Sequence, residues 1–126
     1  KVAIAAAVEY VNHKMEATVH AAEIKEMNMN GEIKGCVVDG PLAIDIAFNK
    51  DAAIHKGIKG DVAGDCDIVL MPDIEAGNMV YKILNFLGGA NSASVITGAS
   101  VPIVLTSRSD DDKTKLLSIA LACLMV

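Results

Sequence analysis

Apolar residues in this chain fall into short continuous runs, separated by stretches in which they recur every three or four positions. The first run, VAIAAAV, is followed by ATVHAAEIKEM, where Val19, Ala22, Ile24 and Met27 keep roughly helical spacing until Asn28, Asn30 and Gly31 stop it. CVVDGP restarts the alternation: its apolar run ends at Asp39 and Gly40, and Pro41 is placed to open the helix PLAIDIAFN. DIVLMPD predicts a third strand. IEAGNMVYKILNFLGG predicts its helix, with Val80, Ile83, Leu84 and Leu87 on one side and Gly88 and Gly89 at the end. SASVITG and VPIVLTS predict fourth and fifth strands, and Asp110 to Asp112 open a last helix whose dipole their charge complements. Between Asn49 and Asp65 the pattern is least regular, predicting one short helix, KDAAIHK, and then a mobile glycine-containing loop.

Unbroken apolar runs joined by helices predict parallel strands buried on both faces, hence an α/β chain with a three-layer αβα arrangement and a mainly parallel sheet. A composition of 52% hydrophobic and 21% charged residues over 126 positions is enough for a globular core. The segment LLSIALACLMV follows a polar run and is too short to cross a bilayer, so it predicts a buried helix face and no membrane association. Glu9, Tyr10 and Asn12 interrupt the first apolar run, which favours a strand over a signal peptide. A net charge of -5 without any basic stripe excludes nucleic acid as a partner. Cys36, Cys66 and Cys123 are widely spaced, a usage that fits reduced thiols in a cytoplasmic protein. No methionine opens the chain and both ends stop inside apolar segments, so a piece of a longer polypeptide is expected.

In an open parallel sheet, ligands bind beyond the carboxyl ends of the strands. Three polar signatures are expected at that rim: Asp39 and Gly40; Asp73, Glu75, Gly77 and Asn78; and Thr106, Ser107 and Arg108. Asp39 and Gly40 are either ordinary turn chemistry or ligand contacts, and Asp73 is either a helix N-cap or a ligand contact. Gly77 and Asn78 occupy early helical positions where better helix formers would serve, which points to close approach at that end. Arg108 is the one arginine among 11 Lys and Arg. Lysine would serve on an ordinary surface, whereas two-pronged capture of a phosphate or carboxylate favours arginine. His13, His20 and His55 lack metal-ligand spacing, and no metal site is expected. Lys56 and Lys59, in the glycine-containing stretch, are available to neutralise an anionic ligand, although that stretch has neither GxGxxG nor a P-loop lysine. Ser107 is outside any GxSxG elbow, which argues against a hydrolase nucleophile.

The stretch from Val38 to Lys82, with DGPLA, VAGD, PDIEAGN and YK in order, followed by GASVPIVLTSRSDDDKTKLLSIALA, closely resembles the C-terminal part of phosphate butyryltransferases in the phosphate acetyl/butyryltransferase family. The resemblance implies transfer of a short-chain acyl group, butyryl or similar, between coenzyme A and inorganic phosphate. Coenzyme A is then a substrate and no bound cofactor is implied. It also implies a fold like that of isocitrate and isopropylmalate dehydrogenases, with two αβα domains and the active site between them, and a homodimer. Residues 1–100 would form most of the second domain and residues 101–126 would return to the first. The 126-residue piece alone is then expected to be inactive.

By the same resemblance Ser107 and Arg108 are the serine-arginine pair of the site. Arg108 would hold the phosphate or acyl phosphate, and Ser107 would hydrogen-bond the reacting thiol or carbonyl. Asp39, Gly40, Asp73, Gly77, Asn78 and Thr106 would line the substrate cleft. Acetyl-specific members carry an aspartate base shortly after the pair, where this chain has Thr114, and Asp110 takes the role of candidate base by proximity. Two alternatives stand beside the transferase: a noncatalytic relative that binds coenzyme A or phosphate, and a metal-dependent hydroxy-acid dehydrogenase of the same fold.

Overall fold

The computed structural model describes residues 1–126. The chain divides into two compact units, Lys1–Gly77 and Asn78–Val126.

In the first unit, β1 (Val2–Ala5), α1 (Glu16–Met29), β2 (Val38–Leu42), α2 (Ile44–Phe48), α3 (Lys50–His55) and β3 (Ile68–Leu70) follow in order. The three strands form a parallel sheet in the order β2-β1-β3. Central β1 is apolar throughout, and its alternate residues serve opposite faces. Ala3 packs with Leu42, Ile46, Ala47, Ala53 and Val62, the side of α2 and α3. Ile4 packs with Ala21 of α1 and with Val38. The α/β expectation and the parallel sheet hold here, with helices on both faces.

Two expectations need correction. Pro41 does not open a helix. It lies in β2 after a cis Gly40–Pro41 peptide, and α2 begins at Ile44. The reason is pairing: Ala5 registers with Leu42, and the Ala6 amide donates to the Leu42 carbonyl at 2.9 Å, so β1 keeps β2 extended past the proline. The register slips between Ala3 and Ala5, and β2 comes so close at Gly40 that a Cβ there would lie 2.8 Å from Ile4 Cβ. The Gly57–Gly64 loop, in turn, is pinned. Val62 is 1% exposed and the Gly64 amide donates to the Ile46 carbonyl at 2.7 Å.

A buried threonine fixes the approach to α1. Thr18 Oγ1 accepts from the Asn12 amide at 2.9 Å and lies 2.8 Å from the Met15 carbonyl, so the residues before the helix are tied to its first turn.

Helix α4 (Ile74–Phe86) starts in the first unit and ends in the second. Its end falls where Gly88 and Gly89 predict it, with Gly89 at φ 63 and the Ala90 amide on the Leu84 carbonyl at 3.0 Å. The predicted fourth and fifth strands are absent from the parallel sheet. Ile96 and Ile103 instead form one isolated antiparallel bridge. Parallel neighbours need a crossover of about a dozen residues or more, and the short Thr97–Ser100 link cannot provide one. The last helix, α5 (Asp112–Leu124), forms where the acids predict it. Its Ser118 is buried; Oγ donates to the Thr114 carbonyl at 2.8 Å and accepts from the Ser94 amide at 2.9 Å. No helix is long and apolar enough to cross a membrane.

Asp111 caps α5, its Oδ1 accepting from the Thr114 amide at 2.7 Å. That hydrogen bond holds the carboxyl below its ordinary 3.8, with lesser help from Lys113 and Lys115. A carboxyl depressed on folding contributes stability above its unfolded pKa and loses it as pH falls through the folded one. Asp111→Ala is therefore expected to lower the thermal midpoint at neutral pH and to converge on the parent below the carboxylate range. Melting curves across pH check this, and a deficit that persists unchanged in acid would refute the cap.

Candidate functional site

The first unit holds Asp39, Gly40, Asp73 and Gly77; the second holds Asn78, Thr106, Ser107, Arg108 and Asp110.

Asp39 is not beyond the carboxyl end of its strand, as the rim expectation required. It sits early in β2, in register with Ala3, because β2 runs on to Leu42. Its Oδ1 accepts from Lys25 Nζ at 2.7 Å and from the Gly40 amide at 2.9 Å. The carboxylate thereby neutralises a half-buried lysine of α1 and braces β2 just before Pro41. Asp73 does follow the carboxyl end of β3, and there it acts as an N-cap: Oδ1 accepts from the Ala76 amide at 2.7 Å. The nearest atom a Cβ on Gly77 would meet is Met71 Cβ at 3.7 Å, so packing does not demand glycine at that position. Beyond the carboxyl ends of β1 and β3 lies an apolar hollow of ≈ 290 Å³, floored by Ala5, Ala6, Ile44, Met71 and Pro72.

In the second unit, the segment from Ser107 to Asp110 closes on itself. The Ser107 amide donates to Asp110 Oδ2 at 2.8 Å, and the Asp110 amide donates to the Ser107 carbonyl at 3.1 Å. Closing the turn at both ends leaves Arg108 exposed between them. No carboxylate lies within 4.0 Å of its guanidinium. Asp110 uses one oxygen for the turn and keeps the other. With Asn85, Phe86, Ala90, Ser109, Asp111 and Thr114 it lines a cleft of ≈ 130 Å³. Asn85 Oδ1 is buried without a hydrogen-bond partner there. Thr106 is half-buried just before the turn.

Sequence reasoning missed Lys82. From α4 its Nζ donates to Ser107 Oγ and to Ser109 Oγ, each at 3.2 Å, while those two hydroxyls lie 3.0 Å apart. The ammonium also sits 5.1 Å from the Tyr81 ring centroid and 5.5 Å from that of Phe86, within cation-π range. Lys82 and the two hydroxyls form a cluster of donors, its two serines flank Arg108 in the chain, and Asp110 is the adjoining acid. The cluster suits a small anion with several oxygens. No group of three His, Cys, Asp or Glu converges anywhere to hold a metal ion.

The family described as phosphate acetyl/butaryl transferase matches residues 1–123. The chain belongs to this family. Among curated members, the probable phosphate butyryltransferase of Bacillus subtilis is 59% identical over 122 residues, which are 97% of this chain and 41% of the relative. The phosphate acetyltransferase of Thermotoga maritima is 54% identical over 122 residues, covering 97% of this chain and 42% of the relative. The chain thus spans about two fifths of the length of the curated relatives it matches. Among solved structures, the branched-chain phosphotransacylase from Enterococcus faecalis V583 superposes with a TM-score of 0.85 at 38% identity, over 97% of this chain and 44% of that one.

Proposed function

We propose that the protein transfers a short-chain acyl group between coenzyme A and inorganic phosphate. A phosphate oxygen attacks the thioester carbonyl, the C–O bond forms, the C–S bond breaks, and the thiolate leaves with the electron pair and takes up a proton. The products are acyl phosphate and coenzyme A. The observation that carries the reading is Arg108, held at the tip of a doubly closed turn with no carboxylate to neutralise it. Its planar fork suits two phosphate oxygens. Ser107 would donate to the developing oxyanion, where a fixed donor has its largest effect. Asp110 would accept a proton through its free oxygen. Within the second unit, Asn78 and Thr106 would line the cleft, in a fold like that of isocitrate dehydrogenase in which residues 1–100 belong to the second domain and residues 101–126 return to the first.

The test is coenzyme A release from acetyl-, butyryl- and isobutyryl-CoA with phosphate present, using the protein as its gene encodes it. Acyl phosphate is expected, with butyryl or a similar chain preferred. Tight binding of coenzyme A without turnover on any thioester would replace the transferase with a noncatalytic binding module.

A further inference from the structure

Lys25 and Lys82 are the lysines this structure half-buries, and they reach different solutions to the same problem. Lys25 has the Asp39 carboxylate at 2.7 Å. Lys82 has two neutral hydroxyls and two aromatic faces, and no carboxylate within 4.0 Å. A partly desolvated ammonium is costly unless its charge is compensated. Hydroxyls satisfy its N–H groups without cancelling that charge.

An ammonium only donates, so each serine oxygen receives a proton from Lys82. The Ser107 and Ser109 hydroxyls share one further hydrogen bond at 3.0 Å, which uses one of their two protons. The other hydroxyl proton is left to donate outside the cluster. The Ser109 amide adds a weak donor to Ser107 Oγ at 3.4 Å. The adjoining acid, Asp110, turns one oxygen to the Ser107 amide and is within 4.0 Å of neither Lys82 nor Arg108.

We propose that Lys82 is a positioning residue for the serine-arginine turn: by donating to both Ser107 and Ser109 it presents a hydroxyl proton to a phosphoryl oxygen, and it adds the second positive charge that this group meets beside Arg108. The proposal rests on the phosphate-transfer reading and deepens it by naming what orients its donors. A hydroxyl already accepting from a cation is also a stronger donor, because hydrogen bonds in series polarise one another.

The experiment compares the protein as its gene encodes it with Lys82→Met, Lys82→Arg and Lys82→Ala, by steady-state kinetics and by phosphate titration followed by NMR. Lys82→Met is expected to weaken phosphate by about tenfold to a hundredfold, the range of a lost charge-assisted hydrogen bond. The KM for the acyl-CoA should stay where it was. Lys82→Arg should recover much of the loss, and added methylammonium should restore part of the rate of Lys82→Ala. A purely structural lysine would show neither recovery by the arginine nor rescue by a free amine, and that result overturns the proposal. So does Lys82→Met binding phosphate and turning over like the parent, while the transfer reaction itself then stands. If phosphate binds in a Lys82-dependent way but no thioester is turned over, the transfer reaction fails and the role of Lys82 stands.

Discussion

Arg108→Ala is expected to reduce turnover with phosphate by about a thousandfold, the scale on which removing one preorganised donor to a developing charge acts. The fold should not notice the change. Arg108 is exposed and makes no ion pair, so trimming it opens no cavity and strands no buried charge. The turn that carries it is closed by backbone amides and Asp110, none of which the substitution touches. Loss of rate with an unchanged melting curve would therefore report on phosphate and on little else. Arg108→Lys sharpens the test. A lysine keeps the charge but lacks the planar fork, so it should recover only a small part of the rate. Full activity in Arg108→Lys would mean that charge alone is needed there. Full activity in Arg108→Ala would remove the site from this turn altogether.

Much of the fold was legible in the sequence because it depends on local period. β1, α1, α4 and α5 lie where apolar runs and helical spacing put them, and the glycines after α4 and the acids before α5 mark real helix ends. The errors arose where a distant strand decides. Pro41 carries a helix-opening signal, yet pairing with β1 holds it in β2. Ile96 and Ile103 belong to runs with apolar stretches like those of the parallel strands, and apolarity does not distinguish strand directions. The short link between those runs did carry the direction, since it permits a hairpin-like pairing and no crossover.

The candidate site was legible in part for a similar reason. The singularity of Arg108 is a fact of composition, and its exposed place on a tight turn agrees with it. Asp39 and Asp73 proved to have structural partners, an ion pair with Lys25 and a helix cap, which no spacing rule separates from ligand contacts. Lys82 left a faint signal. Its neighbours three and four positions away on α4 are Asn78, Met79, Asn85 and Phe86, with no acid among them to pair with it. A lysine among apolar and amide side chains on a helix face is a cation whose partner must come from elsewhere.

Gly64→Ala should cost about 3 kcal/mol or more, because a left-handed backbone and a steric collision coincide at one residue. Gly64 adopts φ +77, and a Cβ built on it would lie 2.5 Å from Lys50 Cα and 2.8 Å from Lys50 N. Both of those atoms are backbone at the start of α3, so no rotamer change relieves the contact. Movement is blocked on the other side too: the Gly64 amide bonds the Ile46 carbonyl at 2.7 Å, and Ile46 is fully buried. Yielding would draw Val62 out of the core that Ala3, Leu42 and Ala53 complete. Gly57→Ala is the matched control. Gly57 has φ +69 but open space around its Cβ position, so it should lose only about 1 kcal/mol, the cost of the left-handed region alone. Denaturant unfolding followed by circular dichroism separates the two. If Gly64→Ala falls no further than Gly57→Ala, the start of α3 gives way freely, and the loop is not pinned to the core through that contact.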